Sequence, residues 1–245
     1  MRIIAFASQK GGSGKTTLSG HTAVAAQQAG FGPVVLIDTD PQGSLSAWWN
    51  EREPDVPAFA QTTVSRLGQD LEALEQQGFK LAVIDTPPAI TVAIQAVVGV
   101  SDLVVIPTRP SPHDLRAAGA TVELIERCGK PLVFVVNAAT SRARITSEAA
   151  IALSQHGTVA PITIHNRTDY ASSMTDGRTV MELNANSKSA AEVEQLWEYL
   201  GERLERSFRR NVFSPRGQVV QQPQRPSFGR RPNIFGSTQP IVGAQ

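Results

Sequence analysis

The sequence has 245 residues, 41 % of them hydrophobic, and a formal net charge of +1. These values predict one folded domain of about 200 residues with extensions. A single cysteine excludes an intramolecular disulfide framework, no apolar run reaches the ~18 residues of a membrane span, and the short apolar start is not that of a signal peptide; the sequence therefore favours a cytoplasmic protein.

Strand-like and helix-like patterns alternate along the chain. Apolar, β-branched runs predict strands at residues 2–7, 34–38, 80–85, 103–107, 132–136 and 159–164. Helical spacing of apolar residues predicts helices near residues 15–30, 64–74, 90–99, 115–125, 146–155 and 190–204. Two prolines in residues 52–61 predict a loop there. This alternation predicts the α/β fold class, with a mostly parallel, twisted sheet and helices on both faces.

Charge is divided unevenly between the two ends of the chain. Residues 1–205 contain 16 basic and 22 acidic residues, whereas residues 206–245 contain seven arginines, five prolines and no acidic residue. We predict a folded domain at residues 1–205 and a basic, Pro- and Arg-rich, disordered tail at residues 206–245. Arg–Phe patterns recur in the tail, which could bind DNA phosphates or a partner protein.

A Gly-rich loop follows the first predicted strand and opens the first predicted helix. It reads Lys10-Gly11-Gly12-Ser13-Gly14-Lys15-Thr16-Thr17. A strand, a Gly-rich loop and a helix start are the context of a P-loop, whose backbone N–H groups and helix N-terminus bind phosphate. In such a loop Lys15 lies on the β- and γ-phosphates of a nucleotide, and the Thr16 hydroxyl binds Mg²⁺.

Polar residues follow three further predicted strands, at the edge where parallel sheets bind their ligands. They are Asp38 and Asp40 after the second strand, Asp85 at the end of the third, and Asn137 after the strand at residues 132–136. Asp85 ends an apolar strand as a Walker B aspartate does, and can hold a Mg²⁺-bound water. Asn137 either hydrogen-bonds adenine, since an amide both donates and accepts, or is a simple turn former.

The loop resembles the deviant Walker A motif of the ParA/MinD family of partitioning and positioning ATPases. Lys10 is the extra lysine of that motif, and the resemblance covers roughly residues 1–200. It implies a P-loop NTPase fold, with ATP and Mg²⁺ as ligands and slow ATP hydrolysis stimulated by a partner. It also implies an ATP-bound homodimer, in which Lys10 reaches the partner's nucleotide and neutralises phosphate charge.

Residues 38–43 and 85–88 resemble the two switch motifs of the same family. By that resemblance, one of Asp38 and Asp40 orients the attacking water and the other supports the metal shell. We favour Asp38 for water activation, and Asp40 remains open. Metal contacts are expected from Thr16, Asp38 and Asp85.

The resemblance implies two alternative functions. The first is an ATPase that positions a plasmid locus, a chromosome locus or a protein assembly by cycling on nonspecific DNA. It would be nucleoid-associated, with a ParB-like or cargo-adaptor protein as activator. The second is a MinD-like switch on a membrane surface, which the prolines of the tail oppose because it needs a C-terminal amphipathic helix. Basic residues expected on loops, and available for DNA contact, are Arg142, Arg144, Arg167, Arg178 and Lys188.

Overall fold

The computed structural model describes residues 1–88 and 92–213, and for residues 207–213 it describes the helical backbone alone. The strands in these residues are β1 Arg2–Phe6, β2 Val34–Asp38, β3 Ala58–Ala60, β4 Leu81–Asp85, β5 Leu103–Thr108, β6 Leu132–Val136 and β7 Thr158–Val159. They form one seven-stranded sheet in the order β3-β2-β4-β1-β5-β6-β7. Every pairing is parallel, as the alternation predicts.

Helices cover both faces of this sheet. In the same residues they are α1 Lys15–Gln28, α2 Ser44–Asn50, α3 Leu67–Gln76, α4 Val92–Val100, α5 Pro112–Arg127, α6 Arg144–Ser154, α7 Thr168–Ser173, α8 Val180–Leu183 and α9 Lys188–Phe213. On one face of the sheet, an apolar core contains residues of α1, α2, α8 and α9. The other face is covered by α3, α4, α5 and α6. The predicted α/β class is confirmed.

The strand register brings the polar strand ends to one level. Asp85 at the end of β4 pairs with Phe6 of β1 on one side and with Asp38 of β2 on the other. All five residues of β4 are buried, so its apolar run fixes the strand at the centre of the sheet. The loop that follows β1 therefore begins beside both aspartates.

Some short elements differ from the sequence-based expectation. The predicted loop at residues 52–61 contains β3, an edge strand of three residues, which is too short to show a strand period. The predicted strand at residues 159–164 is reduced to the two residues of β7. Beyond it, single backbone hydrogen bonds from Ala160 and Ile164 continue along β6. The short helices α2, α7 and α8 were not predicted, because each offers too few residues for a helical pattern.

The predicted boundary between residues 205 and 206 falls inside α9, which continues to Phe213. The loss of acidic residues marks a change in charge and does not mark the end of the helix. Arg206, the first arginine of the basic stretch, pairs with Glu202 one turn earlier at 2.7 Å. The remainder of the predicted tail, residues 214–245, lies outside the described residues.

Candidate functional site: the Gly-rich loop and the strand-end aspartates

The Gly-rich loop occupies the turn between β1 and α1, and its glycines are required by the backbone. Gly12 has φ 70° and Gly14 has φ 98°, a region that side chains strain. A Cβ at Gly14 would also collide with the Nδ2 atom of Asn137. The loop is thus held in one shape, with α1 beginning at Lys15 directly behind it.

Asn137 braces this loop from the neighbouring part of the sheet. Its Nδ2 donates a hydrogen bond of 2.6 Å to the carbonyl oxygen of Ser13, and its backbone N–H donates to Thr108 O at 2.9 Å. The residue is 8 % exposed. Its amide group is therefore engaged by the phosphate loop in this structure, a positioning role that the sequence did not suggest; the adenine contact stays a prediction.

Lys15 and Thr16 face the carboxylate of Asp85. Lys15 is 7 % exposed, and this burial lowers the pKa of its amine, against the opposing charges of Asp85 and Asp40. Thr16 Oγ1 donates a hydrogen bond of 2.5 Å to Asp85 Oδ2. Burial raises the pKa of Asp85 to about 7, and the hydrogen bond from Thr16 opposes that rise. A buried carboxylate of this kind gains from a nearby cation.

The donor atoms fit Mg²⁺. A hydroxyl and a carboxylate in contact supply two hard oxygen ligands, and Mg²⁺ keeps several waters beside such a pair. Within residues 1–88 and 92–213 no group of three or more His, Cys, Asp or Glu side chains could hold a metal ion. Water and phosphate oxygens would complete the shell around Thr16 and Asp85. Asp38 pairs with Asp85 in the sheet register, and its contact with the metal stays a prediction.

Asp38 is held by the backbone of the next helix. Its Oδ2 accepts from Leu45 N at 3.1 Å and Ser46 N at 3.0 Å, and its Oδ1 accepts from Asp40 N at 3.0 Å. It thereby caps α2, because the N-cap position itself is Gly43 and offers no side chain. Burial raises the pKa of Asp38, although these N–H groups oppose the rise. Asp40 Oδ1 accepts a hydrogen bond from Gln42 N at 3.0 Å, within its own turn.

A cavity of about 360 Å³ opens beside these two aspartates. It is lined by Asp38, Asp40, Gly43, Ser46, Phe59, Gln61, Thr62, Thr63, Arg66 and Asp70. The short strand β3 and the start of α3 form its far wall. A water or a partner's side chain has room there to approach either carboxylate.

Arg109 is a residue of this site that motif reading missed. It follows β5 directly, and β5 lies next to β1 in the sheet. A Cβ atom added at Gly12 would lie 3.7 Å from the Nη2 atom of Arg109, so this guanidinium lies next to the loop. The sequence does contain a signal for it, because Arg109 comes just after a predicted strand. The rule that polar residues at strand ends lie near the ligand, which identified Asp38 and Asp85, applies to Arg109 as well.

The end of α2 contacts a distant segment of the chain. Trp48 Nε1 donates to Arg178 O at 3.2 Å, and Arg52 Nη1 donates to Gly177 O at 2.6 Å. Arg52 also forms a buried ion pair with Glu182 at 2.7 Å. Gly177 has φ 76°, and a Cβ there would collide with the backbone of Arg52. The helix that Asp38 caps is thus fixed to residues 177–182.

The basic candidates differ in their surroundings. Arg144 and Lys188 are the first residues of α6 and α9, so the expectation that they lie on loops is wrong; helix patterns do not locate ends to within two residues. Three of the candidates pair with carboxylates: Arg144 with Glu148, Arg167 with Glu192, and Arg178 with Asp176. Arg142 is exposed in the turn before α6, with φ 60°.

A P-loop between the first strand and helix of a parallel sheet, with two strand-end aspartates beside it, defines a P-loop nucleotide-binding protein. Residues 4–180 match the model of the CobQ/CobB/MinD/ParA nucleotide binding domain, and the chain belongs to that family. It is a ParA/MinD-type ATPase that binds ATP with Mg²⁺, as the loop motif predicted.

Individual relatives narrow the comparison. The chain is 33 % identical over 200 residues to the maintenance of carboxysome distribution protein A of Halothiobacillus neapolitanus, covering 77 % of this chain and 91 % of that protein. Its fold is similar to that of apo McdA from Cyanothece, with a TM-score of 0.68, 21 % identity, and coverage of 82 % of this chain and 100 % of that one. It is also similar to MinD complexed with Mg-ADP from Pyrococcus horikoshii OT3, with a TM-score of 0.69, 17 % identity, and coverage of 84 % and 98 %.

In the described part of the chain, no helix is both long and apolar enough to cross a bilayer.

Proposed function

We propose that this protein is a cargo-positioning ATPase that forms a homodimer around ATP and cycles on nonspecific DNA of the nucleoid. Similarity to a carboxysome-distribution protein favours a protein assembly as the cargo, over a plasmid or chromosome locus. A cargo-adaptor protein, in the place of a ParB-like activator, stimulates its slow ATP hydrolysis.

The two lysines of the loop are the observation that carries this proposal. Lys15 is buried beside Asp85, where it serves the phosphates of its own subunit, whereas Lys10 is exposed on the same loop. Among the described residues Lys10 forms no salt bridge. The exposed Lys10 can act on a second nucleotide. When another subunit places its nucleotide against this face, Lys10 neutralises charge on the phosphates of that nucleotide.

The contacts of Asp38 support slow unstimulated hydrolysis. Both of its oxygens accept backbone hydrogen bonds from Asp40, Leu45 and Ser46. A carboxylate so engaged is a poor base for water until one of those bonds is exchanged. An activating partner that enters the cavity beside Asp38 and Asp40 would make that exchange easier, which gives a physical basis for stimulation.

In this proposal, DNA phosphates are contacted by exposed basic residues that do not pair with carboxylates of the protein. Arg142 and Lys188 are exposed, and the ion pairs found in the described part of the chain do not include them. Each subunit alone offers a weak basic surface. Two subunits joined by ATP present two such surfaces at once, so the dimer binds far more tightly than the monomer.

Dimerisation tests the proposal directly. Sizing chromatography with a nonhydrolysable ATP analogue should give a dimer for the unmodified chain and a monomer for Lys10→Ala. Lys80→Ala is the matched control, since Lys80 is an exposed lysine just before β4, at the amino ends of the strands and away from the loop. A Lys10→Ala protein that dimerises as well as the control would refute the cross-subunit role.

Co-sedimentation separates the DNA surface from the membrane alternative. With the ATP analogue, the unmodified chain should be retained on DNA of unrelated sequences and not on anionic liposomes. Retention on liposomes alone would establish the MinD-like alternative and end the DNA proposal.

A further inference from the structure

Two apolar hollows adjoin each other where α9 crosses the end of α1. One, of about 430 Å³, lies among Ala25, Ala29 and Trp197. The other, of about 400 Å³, lies between Phe31 and Trp197 and extends along α9. The indole of Trp197 is common to both and meets the ring of Phe31 edge-on at 5.2 Å between centroids. Together they form one groove, which we call the α1/α9 groove.

Carboxylates line the α9 side of this groove. Glu194, Glu198 and Glu202 follow each other at four-residue spacing, so they lie on one face of the helix, and all three are exposed. Glu202 pairs with Arg206, whereas Glu194 and Glu198 form no salt bridge with any described residue. An apolar floor beside unpaired carboxylates suits a ligand that carries both arginine and an aromatic ring.

The chain itself contains such a ligand. Residues 214–245 hold four arginines and no acidic residue. Within them, Phe228 comes three residues after Arg225, and Phe235 comes four residues after the pair Arg230-Arg231. Within α9 itself, Arg206 pairs with Glu202 one turn earlier, so a carboxylate of this face can accept a guanidinium.

The chain is long enough for this contact. From Trp197 to Phe213 the helix rises about 24 Å. Residues 214–225 span up to about 40 Å when extended, so a segment beginning at Arg225 can return to Trp197. Covalent attachment keeps its effective concentration near the millimolar range, so a modest affinity is sufficient.

We propose that residues 225–235 dock in the α1/α9 groove of their own chain, with arginines on Glu194 and Glu198 and a phenylalanine ring beside Trp197. The groove is then an intramolecular docking site for a basic, aromatic segment. Arginines held there are not available to DNA phosphates or to another protein, so docking limits the other uses of this segment.

The test uses the full chain with a bimane fluorophore on the thiol introduced by Ser227→Cys, in a Cys128→Ser background. Tryptophan quenches bimane at contact, so docking lowers the emission. Trp197→Phe, which keeps an aromatic ring in the packed position, should abolish the quenching. Glu194→Gln with Glu198→Gln should lower the docked-to-free ratio by about fivefold, because two exposed ion pairs are removed.

Glu123→Gln with Glu126→Gln, on the exposed side of α5, is the matched control and should leave the emission unchanged. Quenching that survives Trp197→Phe would overturn the proposal, as would quenching that the Glu194/Glu198 pair does not affect. Quenching that grows with protein concentration would mean that a second copy occupies the groove, which also overturns docking within one chain. The exposed glutamate variants keep the test decisive if Trp197→Phe fails to fold.

Discussion

At the scale of single residues, Asp38 combines an observed helix cap with the water activation that we propose for it, and the two can be separated. It caps α2 through Leu45 N and Ser46 N, and it pairs in the sheet register with Asp85, which accepts from Thr16. Asp38→Asn retains the volume and one acceptor oxygen for the cap but removes the base. We expect ATP turnover to fall by about 100-fold or more while nucleotide binding persists, measured by phosphate release and a fluorescent ATP analogue.

Asp40→Asn is the comparison for that variant. Asp40 accepts from Gln42 N in its own turn, so its replacement should change turnover much less. If Asp40→Asn is inactive and Asp38→Asn turns over normally, the assignment of the two aspartates is reversed. Lys15→Ala should differ from both, because removal of the buried phosphate lysine weakens nucleotide binding itself.

At the scale of secondary-structure elements, His21 joins α1 to α8 in the interior. Its Nδ1 donates to Thr17 O at 2.7 Å and its Nε2 accepts from Val180 N at 3.1 Å, so the ring is neutral. Burial lowers the pKa of His21 to about 4, against the Thr17 carbonyl that opposes the shift. The unfolded chain therefore binds this proton first, near pH 6.5.

Stability should respond to pH accordingly. Above about pH 6.5 the ring is neutral in both states, so the contribution of His21 to stability is fully present. As pH falls from there towards 4, protonation favours the unfolded chain and this contribution drops by up to about 3 kcal/mol. Asp85 acts in the opposite direction over the same range, because burial raises its pKa to about 7. Urea titrations between pH 7.5 and 4.5 therefore compare the unmodified chain with His21→Gln, and the difference between their free energies of unfolding should shrink as pH falls. His113→Gln, at an exposed position of α5, is the control and should differ from the unmodified chain by a constant amount; a constant difference for His21→Gln as well would contradict the prediction.

The elements that the sequence predicted share one property, which is a pattern confined to consecutive residues. The strands Val34–Asp38 and Leu81–Asp85 are nearly continuous apolar runs, and the residues after them could be assigned to one sheet edge. The helix Ser44–Asn50 is different, because its first N–H groups are satisfied by Asp38 across a turn and Trp48 donates to Arg178, far along the chain. The brace from Asn137 to Ser13 spans 124 residues and has no local pattern at all.

At the scale of the whole molecule, DNA binding should depend on a few separate phosphate contacts. We expect Arg142→Ala and Lys188→Ala each to weaken ATP-dependent DNA binding on every sequence tested. Each substitution should also reduce the slope of log affinity against log salt by about two, because the dimer loses one basic side chain from each of its two subunits and so releases fewer counterions from the phosphates. Fluorescence anisotropy at several salt concentrations measures the slope.

Arg127→Ala is the control for that measurement, since Arg127 is exposed in the last turn of α5. A slope that changes as much in the control as in Arg142→Ala would remove Arg142 from the interface. Unchanged slopes in both Arg142→Ala and Lys188→Ala would mean that DNA is bound elsewhere on the dimer.

The attachment of α2 at both ends has a consequence for how the molecule can signal. Asp38 holds the start of this seven-residue helix, and Trp48 and Arg52, at its end and just beyond, hold the backbone at Gly177 and Arg178. A helix of that length is about 10 Å long and too short to bend, so it moves as a lever. We expect a pull on Asp38, whether from a metal, a water or a phosphate, to displace Gly177 and Arg178, more than 130 positions later. A change at the nucleotide would then alter the exposed surface around Arg178.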